Sequence, residues 1–457
     1  NNNYKITIMN TKTSLLHLIG NTPIIKLSAF DTGKCELFVK LESQNPGGSI
    51  KDRIGLSIIE DAESSGKLKA GGVIIEATAG NTGIGLALVA AVKGYKIILV
   101  IPDKMSREKI LHLEGLGAEI VLTRSDVPEG HPEYYQDLAR KIASETPDSF
   151  LANQFSNPAN PFAHKTTTAP EIWDQMDGNV DAVVAGVGSG GTISGMAEFL
   201  KQKNPDIQMV AADPEGSVVA DAIKKGSYSY DGGTWLVEGI GEDFIPDNLN
   251  LELLDDAEVV SDKEAFQTLQ ILLKEEGILG GSSSGTLVAA AIKWCKKQDS
   301  PKRVVTFICD TGNKYLSKAY NKSWLHDNEL LEEDRTGNLA DLISKRADLG
   351  EMISVSPTDS LLIAYNRMRA SDISQIPVLD QDVLVGILDE EDLLFTVSAE
   401  PSAFSSLVSE FMEKNLDVLS VEATEDSLLE ILSQGKVAIV FDKDVFLGFI
   451  TKVDLIN

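Results

Sequence analysis

Three times in this chain a short apolar strand or glycine-rich stretch passes through a turn into an Ala/Leu-rich helix, and that succession leaves few folds open. VIIEATAGNTGIGLALVAAVKGY (Val73–Tyr95) reads as a β-branched strand, a glycine-bearing turn and a helix. VDAVVAGVGSGGTISGMAEFL (Val180–Leu200) repeats the pattern with a fully apolar strand, and GILGGSSSGTLVAAAIKW (Gly277–Trp294) sets glycine and serine ahead of another apolar helix. A strand without a polar face must be covered on both sides, and strands that alternate with helices pair in parallel. The expectation is a doubly wound α/β region, with its binding crevice at the C-terminal ends of the strands.

The turns carry chemistry as well as topology. Thr78 to Thr82 places free backbone N–H groups at a helix N-terminus, which suits a carboxylate or phosphate and not a cation. Gly188, Ser189, Gly190, Gly191 and Thr192 form a second such cradle from backbone N–H groups and hydroxyls. It is not a Walker loop, because the terminal GK[ST] is missing, and a glycine-rich turn alone selects no nucleotide. Each loop taken singly fits a tight αβ connection equally well.

A fourth motif, NPGGSIKDR (Asn45–Arg53), lies between the strand-like CELFVKLE and the helix-like DRIGLSIIEDAES. Lys51 therefore falls at a helix start, where the macrodipole and neighbouring Arg53 both oppose a further positive charge. A neutral amine there is a nucleophile toward an aldehyde.

Composition narrows the classes. A net charge of −28 over 457 residues excludes a simple nucleic-acid or anionic-membrane role. No apolar run reaches the roughly 18–20 residues of a membrane span. The opening NNNYKITIMNTKTS lacks the apolar core and cleavage site of a signal peptide, and the natural start is expected at Met9. Cys35, Cys295 and Cys309 are odd in number and widely spaced, as reduced buried thiols are, and none is expected to be catalytic. The histidines show no ligand spacing; His112 and His164 are expected in the core or in loops, and no metal site is expected. A cytoplasmic enzyme is the reading that these features allow.

Together the four motifs resemble the fold-type II pyridoxal-phosphate enzymes, specifically the β-replacement branch that holds cysteine synthases and cystathionine β-synthases. The resemblance implies a two-lobed catalytic region over residues 9–325 with pyridoxal 5′-phosphate between the lobes. It assigns Lys51 as covalent anchor and general base, Gly188 to Thr192 as the phosphate loop, Asn81 as the partner of the cofactor's phenolic oxygen, and Ser283 as the group facing the pyridine nitrogen. A serine there cannot keep that nitrogen protonated as an aspartate would, so elimination is favoured over transamination. The resemblance further assigns the substrate carboxylate to Thr78, Ala79, Gly80, Thr82 and Gln154; Ala79 stands where the family usually has serine, so one hydroxyl is lost. The implied reaction removes a β-substituent from an amino acid, and a thiol adds to the resulting aminoacrylate.

Two runs separate the branches. VEGIGEDFIP puts Glu238, followed by Gly239, where cystathionine β-synthases carry an acidic residue near the homocysteine amino group, and CDTGNKYLSKAYNKSWL has that branch's terminal pattern. A carboxylate facing the thiol substrate attracts an ammonium but offers nothing to sulfide. Serine and homocysteine are then the expected substrates and cystathionine the product. QFSNPANP resembles the cysteine synthases, which keeps O-acetylserine, sulfide and sulfide-releasing activity open. Only a few residues precede SLLHLIGNTPIIKL, so no haem segment is expected.

The acidity is uneven: the segment from Asp327 onward contributes well over half of the net charge, including DNELLEEDR and LDEEDLL. An acidic linker is expected over 326–345. Beyond it, IPVLDQDVLVGIL (Ile376–Leu388) and AIVFDKDVFLGFI (Ala438–Ile450) are one strand–turn–strand unit used twice, each after a helix opening with DSLL. Residues 346–457 resemble a tandem of nucleotide-sensing CBS modules. That resemblance implies adenosine-type ligands at Thr451 and Asp454; in the first copy Asp389 stands where a threonine belongs, followed by Glu390, Glu391 and Asp392. Four carboxylates repel phosphate, so S-adenosylmethionine, with its positive sulfonium, is the expected ligand. A homodimer or higher homo-oligomer is expected. The alternative from a different class is an adenosine-ligand sensor or scaffold whose catalytic region is vestigial.

Overall fold

The structure is a computed structural model that describes residues 12–78, 80–103, 107–127, 130–229, 233–331, 337–343, 352–371, 373–399 and 401–455. Ala79 and Met9 lie outside the described residues. The chain divides into two compact units, Asn1–Asn321 and Lys322–Asn457.

In order, the first unit comprises β1 (Ile24–Lys26), β2 (Glu36–Leu41), α1 (Lys51–Ser64), β3 (Val73–Ala77), α2 (Asn81–Lys93), β4 (Lys96–Pro102), α3 (Arg107–Gly115), β5 (Glu119–Thr123), α4 (Tyr135–Glu145) and β6 (Ser149–Leu151). It continues with α5 (Ala159–Ala163), α6 (Ala169–Gln175), β7 (Ala182–Gly186), α7 (Gly191–Lys203), β8 (Gln208–Pro214), α8 (Val219–Lys225), β9 (Asp256–Val260), α9 (Asp262–Glu276), α10 (Ser282–Lys296) and β10 (Arg303–Ile308). A six-stranded sheet runs β1-β2-β10-β7-β8-β9 and a four-stranded sheet β5-β4-β3-β6. Every pairing is parallel except β1 with β2. The apolar strands expected from the sequence are the central ones: Ala182 to Ala185 of β7 are all buried, as two-sided cover requires.

Helix ends follow local chemistry. Ser261 and Glu264 form a capping box at the start of α9, and Gly277 closes it at φ 68°. Two glycines bring α1 and α2 into backbone contact. A Cβ at Gly55 would stand 2.6 Å from the Gly85 carbonyl carbon, and one at Gly85 would stand 2.6 Å from the Lys51 carbonyl oxygen. Thus α1 leaves the six-stranded sheet after β2 and packs in the core of the four-stranded lobe, with Ile54, Ile58 and Ile59 against Leu86 and Leu99. Lys51 sits at that crossing.

Behind it lies a buried ion network. Arg53 donates to both Glu42 oxygens (2.8 and 2.8 Å) and to both Glu171 oxygens (2.8 and 2.7 Å), and Lys40 pairs with Glu171 at 2.9 Å. Removing one member would leave the others buried and unpaired, a loss of about 3–5 kcal/mol.

The second unit opens with α11 (Lys322–Asp327) and a 3-10 turn at Leu339–Leu342. Then follow α12 (Leu361–Ser371), β11 (Gln375–Asp380), β12 (Val383–Asp389), α13 (Glu390–Ala399), β13 (Val418–Ser420), α14 (Glu425–Ser433), β14 (Ala438–Asp442) and β15 (Val445–Ile450). The repeat read in the sequence extends to backbone detail. Both hairpins carry an irregularity at matching positions, Val378/Leu379 and Val440/Phe441, and both turn through positive φ, at Gln381 and Asp382 and at Lys443. Each copy has its own core. The stretch expected as an acidic linker is structured at its end: Leu339, Ala340 and Ile343 are buried in the core of the second copy, with the Leu339 N–H on the Val421 carbonyl (3.1 Å).

Candidate active site

In the first unit a cavity of about 250 Å³ opens at the C-terminal ends of the strands, between the two sheets. Lys51, Thr78, Gly80, Asn81, Thr82, Gln154, Gly188, Ser189, Gly190, Thr192, Glu238, Gly239 and Ser283 all line it. Gly191 begins α7 just beneath. Residues separated by more than two hundred positions are therefore brought to one wall, as the sequence reading required.

Lys51 is the first residue of α1. Burial lowers its pKa, against the attraction of Cys309, Glu242 and Asp310, so the neutral amine is favoured. The expected cause is corrected here. Arg53 does not oppose a charge on Lys51, because its guanidinium is turned into Glu42 and Glu171.

The glycine loop fits an anion by what it leaves bare. Gly190 caps α7 at φ 79°, and no side chain takes the helix's first N–H groups. A Cβ at Gly188 would stand 2.6 Å from the Gly239 carbonyl oxygen, and one at Gly191 only 2.1 Å from Asn160 Oδ1, so the loop accepts no larger residue there. Thr192 Oγ1 is 3.1 Å from His164 Nε2, and His164 Nδ1 is 2.9 Å from Thr168 Oγ1. Burial, with the Arg53 guanidinium adding to it, holds His164 far below its ordinary pKa, so its neutral ring fixes the threonine without adding charge. His164 opens a π-helical turn, His164–Thr168, between α5 and α6.

Asn81 begins α2. Its Nδ2 donates to Asp310 Oδ2 (2.8 Å) and its Oδ1 accepts from Lys314 Nζ (2.7 Å), which leaves one amide N–H for a ligand. Tyr315 also donates to Asp310 (2.7 Å). Thr82 Oγ1 donates to Gln154 Oε1 at 2.6 Å, joining two residues assigned to the substrate carboxylate. Gln154 is held in turn by Glu76, which accepts from the Asn153 and Gln154 N–H groups (2.6 and 3.4 Å); burial moves the Glu76 pKa up to about 7. Ser283 lies in the first turn of α10 and beside Cys309, whose thiol burial pushes up to about 12.

Glu238 differs from expectation. Its carboxylate is not presented bare: Lys109 pairs with one oxygen and Lys318 with the other, at 3.1 Å for the latter. Burial alone would raise its pKa, but these two lysines hold it below the usual carboxylate range.

Several participants carried no sequence signal. Asn160, inside the QFSNPANP run, donates to the Gln154 carbonyl and to Ser189 Oγ (both 2.8 Å) and so ties the substrate loop to the glycine loop. Lys109, Lys314 and Asp310 were likewise unassigned, as was Glu242, which lines the cavity. Cys309, expected to be an ordinary core thiol, lines it too.

The comparisons agree with this geometry. Residues 15–310 match the pyridoxal-phosphate dependent enzymes and residues 340–399 match the CBS domain. Cystathionine beta-synthase of Dictyostelium discoideum is 36% identical over 97% of this chain and 91% of its own length. That of Saccharomyces cerevisiae is 37% identical over 86% and 83%.

The chain belongs to the cystathionine β-synthase family of pyridoxal-phosphate dependent enzymes.

Among solved structures, an O-acetylserine dependent cystathionine beta-synthase from Helicobacter pylori is 40% identical with a TM-score of 0.61, covering 68% of this chain and 99% of that one. A hydrogen sulfide-producing enzyme from Fusobacterium nucleatum is 39% identical with a TM-score of 0.62, covering 67% and 100%. The family's cofactor fits the residues present: an amine that burial keeps neutral, a bare helix N-terminus in a glycine cradle, an amide with a spare N–H, and a serine where the pyridine ring is expected.

In the second unit, the Thr451 hydroxyl and N–H both donate to Asp454 Oδ2 (2.6 and 2.6 Å). The first copy differs as its sequence implied. Asp389 caps α13 by accepting from the Glu391 N–H (2.8 Å), and a cavity of about 480 Å³ there is lined by Asp389, Glu390, Glu391 and Phe395. Among the described residues no cluster of metal-ligating side chains occurs, and no helix is long and apolar enough to cross a membrane.

Proposed function

We propose that the protein condenses L-serine with L-homocysteine to give L-cystathionine and water. The observation that carries this reading is the neutral-favoured Lys51 amine in one cavity with the bare N-terminus of α7 and with Glu238. Bound pyridoxal phosphate would supply an aldehyde for covalent attachment and a ring that withdraws electrons from the substrate α-carbon. Lys51 would anchor it; the Gly188–Thr192 loop would hold its phosphate, Asn81 its phenolic oxygen and Ser283 its pyridine nitrogen. Lys51 Nζ is the base for the α-proton, since a buried neutral amine accepts a proton readily once a carboxylate-bearing substrate enters. Thr78, Gly80 and Thr82, with Gln154, orient the substrate carboxylate through α2's N-terminus. Glu238 and Gly239 receive the thiol substrate, with Lys109 and Lys318 setting how much negative charge its ammonium meets.

The paired state of Glu238 favours a second reading, in which O-acetylserine is the donor or sulfide the nucleophile. Product analysis by mass spectrometry decides. Cofactor-loaded protein given serine with homocysteine should form cystathionine faster than it forms cysteine from O-acetylserine with sulfide; the reverse order would replace the first reading with the second.

The same proposal takes 9–325 as the catalytic region and extends the tandem regulatory pair expected over 346–457 back to Asn338, because Leu339, Ala340 and Ile343 belong to its core. It binds S-adenosylmethionine or another adenosine ligand at Thr451 and Asp454, in a cytoplasmic homo-oligomer. Calorimetry that found tight ATP binding and no S-adenosylmethionine binding would remove the sulfonium argument.

A further inference from the structure

Glu242 is a titratable group in the cavity wall to which the mechanism above gives no task. Its backbone is fixed: the N–H donates to Ser217 Oγ (3.1 Å), and the carbonyl accepts from Ser217 Oγ (3.1 Å) and the Val218 N–H (3.0 Å). Its carboxyl group takes no hydrogen bond or ion pair from any described residue, and it points toward the glycine loop, with Oε1 3.9 Å from where a Cβ on Gly188 would be. The carboxyl is half-buried and is free to partner a group that enters the cavity beside Lys51.

We propose that Glu242 carries the proton that turns the departing β-hydroxyl of serine into water, and then takes one back from the incoming thiol. This rests on the reading that serine is the donor.

The step balances within the site. The Cβ–O bond breaks with its electron pair on oxygen, and the Glu242 proton goes to that oxygen, so water leaves and a carboxylate remains. The homocysteine S–H then gives its proton to that carboxylate as the S–Cβ bond forms, which restores the acid. The α-proton held by Lys51 returns separately, and no oxidant or reductant is needed.

The electrostatics suit both halves. Burial, then Asp243 and Asp213, move the Glu242 pKa up to about 8 against the pull of Lys51. Asp213, on β8, is itself raised to about 6 by burial, and the buried phenol of Tyr135, on α4, faces the same carboxyl. Lys51 is shifted down and Glu242 up, so the pair is favoured as free amine and protonated acid, one poised to accept a proton and the other to give one. The position also bears on substrate choice. Hydroxide is a poor leaving group without a proton, whereas acetate leaves as a stable anion and asks nothing of Glu242.

The test is Glu242→Gln in cofactor-loaded protein, with serine and O-acetylserine compared as donors to homocysteine. Cofactor absorbance is the check that the site remains intact. Serine-dependent cystathionine formation should fall by roughly 10²-fold, while the O-acetylserine rate changes by no more than about threefold. The wild-type serine rate should also decline above pH of about 8, a limb that the variant lacks. Equal slowing with both donors, or with neither, overturns the proposal. A second readout does not depend on turnover. Infrared titration of wild-type protein, with and without cofactor, should show a protonated-carboxyl band that persists at neutral pH and is missing from Glu242→Gln; titration in the ordinary carboxylate range overturns the proposal. If wild-type protein forms no cystathionine from either donor, the functional reading fails by itself, and the infrared result still decides the state of Glu242.

Discussion

Glu238 and Glu242 leave one loop four residues apart, line one cavity and carry the same functional group, yet their surroundings treat them in opposite ways. Lys109 and Lys318 close on Glu238 and keep it ionised; among the described residues none pairs with the Glu242 carboxyl, and burial favours its protonated form. The difference shows that chemical role in this cavity is set by neighbours contributed from α3 and from the segment after β10, not by residue type. The family resemblance singled out Glu238 by its position in VEGIGEDFIP and passed over Glu242, since the neighbours that distinguish the two are not adjacent in sequence.

The largest expected effect removes what the two carboxylates share. Lys51→Ala should abolish the absorbance of covalently held cofactor and lower turnover by at least about 10³-fold with every donor and thiol, since anchor and base are lost together. Unchanged cellular function of that variant would favour the scaffold alternative. A smaller and one-sided effect is expected from Glu238→Gln. If this carboxylate meets the homocysteine ammonium, KM for homocysteine rises by roughly 10-fold or more while the rate with sulfide is unaltered, because a charge-assisted hydrogen bond is worth about 1.5–3 kcal/mol. Equal effects on both thiols would mean that Glu238 only anchors its lysines.

The smallest effect is read in stability, and there the two residues should diverge in sign. Glu242 has a folded pKa near 8 against an ordinary 4.5, so between those values the folded state holds a proton that the unfolded state has released. Its stabilising contribution is complete below the lower value and is lost as pH rises through the upper one. Glu238 is depressed when folded, so its contribution is present above the unfolded value and lost as pH falls through the folded one. Thermal melts across pH should therefore show Glu242→Gln flattening the alkaline side and Glu238→Gln flattening the acid side, by a few degrees each. Melting profiles that change on the same side would break the contrast.

How much of this was legible follows from the range of the interactions. Elements whose signal is local were readable: the apolar run of β7, the glycines before α7, Lys51 at the start of α1, and the doubled hairpin of the second unit. The assignments to cofactor and substrate rested on a family resemblance, and the cavity gathers Lys51, Asn81, Gly188 and Ser283 from four separate segments. What stayed hidden is held by pairs far apart in the chain. Asn81 depends on Asp310 and Lys314, Glu238 on Lys109 and Lys318, and Ser189 on Asn160. Arg53 was misjudged for the same reason, because Glu42 and Glu171, which absorb its charge, are not its neighbours in sequence.

Leu339, Ala340 and Ile343 precede the first hairpin copy but complete the core of the second. The second copy is therefore discontinuous in sequence, with the first inserted into it. That decides where the chain can be divided. A fragment begun at residue 346 would lack three apolar side chains of its own interior and expose the surface of Leu428, Val440 and Leu447 that they cover, whereas one begun ahead of Asn338 keeps both copies whole. The same threading means that the second copy cannot be lost or exchanged as a single continuous cassette without carrying the first with it, whereas the first is an uninterrupted insert.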